Sequence, residues 1–191
     1  MGVIPRGATA ITHCYIGRAL HAGGVAVDAT CGNGHDTAFL AQLVGPGGKV
    51  FGFDIQQQAL DATRRRLVEQ GLLERCELML ASHAQMAQYV PGPVDAVMFN
   101  LGYLPGGDHS ITTQFPSTCA AMQQAMALLR PGGVITVGVY YGMKSGFEEK
   151  EQFLEYVKTI DSRTFTVLVH SYVNQPNCPP IAVVVEKRTE S

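Results

Sequence analysis

Two short stretches hold most of the groups that could do chemistry. The first is VDATCGNGHDT, residues 27–37, where Asp28, Cys31, Asn33, His35, Asp36 and Thr37 surround Gly32 and Gly34. Glycines let the backbone bend and let a ligand approach it closely. A helix that starts there offers unpaired N–H groups. The second is FNLGYLPGGDHSITT, residues 99–113, which places Asn100, Tyr103, Asp108 and His109 on a backbone that must bend twice. An asparagine side chain offers both a hydrogen-bond donor and an acceptor, and a carboxylate can accept a proton. Between them, VFGFD ends in Asp54, an acid placed to accept both hydroxyls of a ribose. A Gly-x-Gly loop with an acid at the end of the next strand points to an adenosine-containing cofactor. A dinucleotide is disfavoured, because Thr37 stands where the third glycine of G-x-G-x-x-G would be.

These groups need strands and helices to hold them. The pattern predicts helices over residues 8–20, 36–43, 57–70, 84–89, 117–129 and 148–159. It predicts strands over 25–29, 49–54, 77–81, 94–100, 134–140, 164–173 and 181–187. The central strands are apolar without alternation, as in a parallel sheet covered on both faces. Ligands bind such sheets outside the carboxyl ends of the strands. The Gly32 loop, Asp54, Ser82-His83 and Asn100 all fall at those ends.

The chain has 191 residues, 46% hydrophobic and 16% charged, enough for one domain over 1–191 with a sizeable core. No apolar run is long enough to span a membrane, and Pro5 and Arg6 interrupt any leader-like start. The five cysteines are scattered, with no C-x-x-C, which predicts reduced thiols and a cytoplasmic protein. A net charge of −2 argues against a general nucleic-acid coat, and Arg64, Arg65 and Arg66 point in different directions on a helix.

Asp28 with Gly32-Asn33-Gly34, then Asp54, then LLRPGGVITV at 128–137 and a closing strand pair resemble class I S-adenosylmethionine-dependent methyltransferases across the whole chain. The resemblance implies an α/β, Rossmann-like fold. Its mostly parallel seven-stranded sheet would end in a C-terminal antiparallel hairpin, with helices on both faces. It implies that Asp28, Cys31, Gly32, Asn33, Gly34, Asp36 and Thr37 surround the methionine part of S-adenosylmethionine. Asp54 would then serve the ribose, Ser82 and His83 would lie near the adenine, and Gln56 and Asn100 would be further cofactor contacts. Many members carry an acid at the Ser82 position. Asp28 could alternatively just fix the glycine loop.

Methyltransferases that modify amino nitrogens often carry Asn/Asp-Pro-Pro-Tyr after the fourth strand. Here the segment is Asn100-Leu101-Gly102-Tyr103-Leu104-Pro105, a variant without the paired prolines. NLGYLPGGD, with the later NQPN and the DATCGNGHDT loop, resembles a family of small enzymes described as putative rRNA methylases. Some members are assigned as tRNA 5-aminomethyl-2-thiouridine methyltransferases, which methylate the aminomethyl nitrogen of the wobble uridine. Gly142-Met143-Lys144-Ser145-Gly146 departs from that family's usual Gly-His-x-x-Gly.

The resemblance therefore predicts an N-methyltransferase whose partner is tRNA. Asn100 and Tyr103 would hold the amine, Asp108 would accept its proton, and Asp36 is the second choice. Gly102 and Tyr103, with Asn174, Gln175 and Asn177 of the NQPN loop, would contact the base. An alkyl amine with a pKa of about 10.4 costs about 4–5 kcal/mol to neutralise at pH 7, so an acceptor matters. His13 could reach the site if the first helix lids it, although a packing role is the simpler reading. His35, His83 and His109 are further possible acceptors. A homodimer would extend the surface available to a tRNA arm. The competing readings are an rRNA or small-molecule N-methyltransferase and a non-catalytic nucleotide-binding protein of the same fold.

Overall fold

The computed structural model describes residues 4–108, 110–142 and 144–189. Seven strands form one sheet: β1 (Val25–Asp28), β2 (Lys49–Asp54), β3 (Cys76–Leu80), β4 (Val94–Leu101), β5 (Leu129–Val139), β6 (Phe165–His170) and β7 (Ile181–Lys187). Their spatial order is β3-β2-β1-β4-β5-β7-β6. β1 to β5 pair in parallel, and β7 runs antiparallel to both β5 and β6. The chain leaves β1 towards β2 on one side and returns as β4 on the other. That reversal opens a crevice at the carboxyl ends of β1 and β4, where open α/β sheets bind ligands.

Five helices cover the sheet: α1 (Ala8–Ala19), α2 (His35–Val44), α3 (Gln57–Glu69), α4 (Phe115–Leu128) and α5 (Lys144–Lys158). Ile16 of α1, Leu40 and Val44 of α2 and Leu67 of α3 pack with Ala26, Val50 and Met98 from one face of the sheet. Met122 and Ala125 of α4 and Phe153 and Val157 of α5 pack with Val27, Phe53, Phe99 and Ile135 from the other. Val97, Phe99, Ile135 and Val137 are fully or almost fully buried, as expected of strands covered on both faces.

Several boundaries differ from the sequence expectation. Pro131-Gly132-Gly133 lies inside β5 rather than before it, because the β4–β5 ladder shifts register between Val94 and Ala96 and takes in Leu129. β6 ends at His170 rather than Val173, where its pairing with β7 stops. α5 begins at Lys144, four residues earlier than the pattern suggested.

Candidate functional site

The carboxyl ends of β1 to β5 open on one cavity of about 960 Å3. From the sequence-predicted set, Cys31, Gly32, Asn33, Asp36, Asp54, Gln56, Ser82, His83, Asn100, Gly102 and Tyr103 line it. Asp54 ends β2 and is held in a fixed plane: its Oδ2 accepts from Gly32 N–H at 2.9 Å and its Oδ1 from Gln56 N–H at 2.9 Å. Each carboxylate oxygen keeps a further lone pair for a ligand hydroxyl. Beside it, Ile55 is 59% exposed and forms an apolar wall of the cavity. At the same end Ser82 caps the 3-10 segment His83–Gln88. His83 Nδ1 lies 3.1 Å from the carbonyl oxygen of Ala29, and burial lowers the pKa of its ring. A carboxylate beside an apolar wall, with a close-approach glycine loop across from them, fits an adenosine-bearing ligand.

Asp28 and Thr37 lie behind the loop rather than in the cavity. Thr37 Oγ1 donates to Asp28 Oδ2 at 2.6 Å, and Thr30 N–H donates to Asp28 Oδ1 at 3.2 Å. Asp28 is fully buried. Burial, aided by the charges of Asp36 and Asp54, pushes its carboxyl up to about 7 despite the bonds from Thr37 and Thr30. These bonds tie it to residues on both sides of the glycine loop. Gly34 is also set back: it caps α2 with φ +77°, and a Cβ there would sit 2.7 Å from Thr63 Cα. Only glycine fits that conformation and that space.

Asn100, at the end of β4, faces the other end of the cavity. Its Nδ2 donates to Asp36 Oδ2 at 2.7 Å, and Asp36 Oδ1 lies 2.7 Å from His13 Nε2. A carboxylate can only accept, so it turns the amide nitrogen of Asn100 towards itself and leaves the amide carbonyl as an acceptor. Gly138 of β5 makes the room: a Cβ there would sit 2.9 Å from Asn100 Oδ1. Burial pushes the Asp36 carboxyl up. The hydrogen bonds from His13 and Asn100, with the charges of His13 and His35, outweigh it and hold the pKa below the usual value.

The expected acceptor, Asp108, does not line the cavity. Its Oδ1 accepts from Ser110 N–H at 2.8 Å, so it closes its own turn. Asp36, in the first turn of α2, is the carboxylate that lines the cavity and bonds Asn100. Asn174, Gln175 and Asn177 do not line the cavity either. β6 runs parallel to β1, which puts the NQPN loop on the same rim, but β7 and β6 lie beyond β5 and carry it to the far edge of the sheet. His109 and Met143 fall outside the described residues.

Sequence reasoning passed over Ile55, Thr9 and Tyr140 and set His13 aside as a packing residue. All four line the cavity, and Tyr140 and Thr9 pair through their hydroxyls at 3.1 Å across its mouth. Ile55 had a readable signal, an apolar residue directly after the strand-end acid. Tyr140 follows β5 as Asn100 lies at the end of β4, so the same strand-end rule could have found it.

The family model described as "Putative rRNA methylase" matches residues 50–186. A chloroplastic tRNA (mnm5s2U34)-methyltransferase from Arabidopsis thaliana is 34% identical over 95% of this chain and 69% of that protein. The crystal structure of a putative rRNA-methylase from Clostridium thermocellum superposes with a TM-score of 0.95 at 50% identity, covering 97% of this chain and 100% of the other. A putative methyltransferase from Streptococcus mutans, solved in complex with S-adenosylhomocysteine (SAH), superposes at 0.88 with 37% identity over 98% and 99% of the two chains.

Proposed function

The chain belongs to the "Putative rRNA methylase" family of S-adenosylmethionine-dependent methyltransferases, and on that premise we propose that it methylates the aminomethyl nitrogen of 5-aminomethyl-2-thiouridine at the tRNA wobble position. The observation that carries the nitrogen target is the Asn100 side chain, whose amide is turned by Asp36 so that its carbonyl is the group offered to substrate. The Arabidopsis relative, similar over nearly the full length, supports the tRNA base as the bearer of that nitrogen.

Bound S-adenosylmethionine supplies a methyl carbon on a positively charged sulfur. The protein aligns the nucleophile with that carbon, and alignment of this kind supplies roughly 7–11 kcal/mol of the barrier reduction. Asp54, Gln56, Gly32 and Asn33 would hold the ribose and methionine parts, with Ile55, Ser82 and His83 around the adenine. Asn100 would accept a hydrogen bond from the amine and aim its lone pair. Gly102 and Tyr103 would lie along the base, and Asp36 would draw the ammonium in. A cytoplasmic location and a homodimer that extends the RNA-binding surface complete the reading.

The test is transfer of a labelled methyl group from S-adenosylmethionine into bulk tRNA lacking this modification, followed by nucleoside mass analysis. The expected product is 5-methylaminomethyl-2-thiouridine. Label recovered in rRNA or in no RNA, alongside cofactor binding measured by calorimetry, would reject the wobble-base assignment and leave the methyltransferase intact.

A further inference from the structure

α1 precedes the whole sheet in sequence, yet it lays His13 against the site. The ring is clamped in orientation on two sides. It stacks face to face on Phe39 of α2, with centroids 3.7 Å apart and planes 3° from parallel, and its Nε2 lies 2.7 Å from Asp36 Oδ1. Asp36 in turn holds Asn100, the residue offered to the amine, and all three line the same cavity. A histidine serving only as packing does not need a carboxylate that also orients the substrate-facing amide.

The proton has to go somewhere, and the hydrogen bonds decide between the two neighbours. Asp36 is a weak acceptor, because both of its oxygens already accept hydrogen bonds, which hold its carboxyl below the usual value. Since Asp36 Oδ1 can only accept, the neutral ring keeps its hydrogen on Nε2 and its lone pair on Nδ1. The other groups around the pair are His35 of α2, Tyr140 after β5 and Asp28 behind Asp36. Tyr140 is bonded to Thr9 and Asp28 is sealed from the cavity, so neither competes for the proton.

We infer that His13 takes the proton from the substrate amine at Nδ1, directly or through one water, while Asp36 holds the Nε2–H side and orients the ring. This rests on the amine-methylation reading above. The ammonium gives one proton to Nδ1 and recovers its lone pair. That pair forms the new N–CH3 bond as the S–CH3 bond breaks, and the sulfur keeps the bonding electrons as a neutral thioether. The product leaves as a secondary ammonium. The imidazolium returns its proton to solvent through a side chain that is 29% exposed.

The experiment compares the full-length protein with His13→Gln and His13→Ala on an anticodon stem-loop carrying 5-aminomethyl-2-thiouridine. Single-turnover methyl transfer is followed against pH. Binding of the same stem-loop to the SAH complex is measured by calorimetry. The expected result is a fall of at least 100-fold in transfer for His13→Gln at neutral pH, with the variant's rate climbing about tenfold per pH unit as solvent alone deprotonates the amine. Stem-loop affinity would stay within threefold, and added imidazole would restore part of the rate of His13→Ala. Transfer within threefold of wild type with the same pH profile would overturn the inference. So would a loss of rate matched by an equal loss of binding and indifferent to imidazole, the signature of a structural role. A wild-type protein that binds S-adenosylmethionine but methylates no such stem-loop defeats the substrate reading first, and the inference falls with it.

Discussion

Asp54 shows what one side chain decides at this site. Its two oxygens tie the glycine loop to the start of the segment leading into α3 through Gly32 N–H and Gln56 N–H, and the same carboxylate borders the cavity. Asp54→Ala removes a charged acceptor from the loop and, on the proposed placement of the cofactor, from the ribose. Charged hydrogen bonds contribute about 1.5–3 kcal/mol each, so SAH affinity should drop by roughly 10- to 100-fold. Calorimetry checks this; an unchanged affinity would place the ribose elsewhere. Asp54 and Asn100 were legible in the sequence because a parallel sheet fixes which residues reach its carboxyl rim. Asp108 is eight residues from Asn100 along the chain, bonds Ser110 N–H and is not among the residues lining the cavity, a turn that the local pattern does not show. Asp36 is 64 residues from Asn100 and touches it at 2.7 Å, because α2 starts over the end of β4. His13 was out of reach for the same reason: the packing of α1 against β5 and β7, not its local pattern, brings it to the cavity.

At the scale of elements, α5 braces the part of the cavity wall that holds Gly102 and Thr113. Buried Glu149 accepts from Thr113 Oγ1 at 2.7 Å and from Thr118 Oγ1 at 2.9 Å. Thr113 Oγ1 also receives the N–H of Gly102, so one carboxyl fastens α5 to the first turn of α4 and to the loop after β4. Glu149→Ala leaves two hydroxyls without their acceptor and opens a gap beneath that loop. The expected cost is about 2–3 kcal/mol, or roughly 4–10 °C in Tm. Methyl transfer should fall while SAH affinity holds within about threefold, because the cofactor-facing loops have their own ties to Asp28 and Asp54. Differential scanning fluorimetry and calorimetry separate the two effects; a loss of SAH binding equal to the loss of transfer would show that the strut serves the whole cavity. Alternating strands and helices were readable from composition and period alone. The Glu149 strut was not, because an acid within the period of a helix normally reads as solvent-facing and only the fold turns this one inward.

For the molecule as a whole, the cost of this architecture appears in its response to pH. Asp28 is sealed beneath the glycine loop, and burial lifts its carboxyl to about 7 from an ordinary value of 3.8. Glu149 is raised too, mainly by burial and in spite of its two threonine donors. Between these values the folded protein still holds protons that the unfolded chain has released. Stability rises with pH only where the unfolded state binds more protons, so here the sign is reversed. The contribution of Asp28 is greatest below about pH 4, declines as pH rises to about 7, and is constant above it. Asp36 acts in the opposite sense, since its lowered pKa adds stability above the unfolded carboxylate value that is lost in stronger acid. Asp28→Asn keeps a neutral group of the same shape that can still pair with Thr37, and it removes the titration. Its stability relative to wild type should therefore rise steadily between pH 4.5 and 7 and then level off, measured as urea midpoints at each pH. A constant difference across that range would mean that Asp28 is already ionised in the folded protein, stabilised by the loop it organises more strongly than its burial opposes.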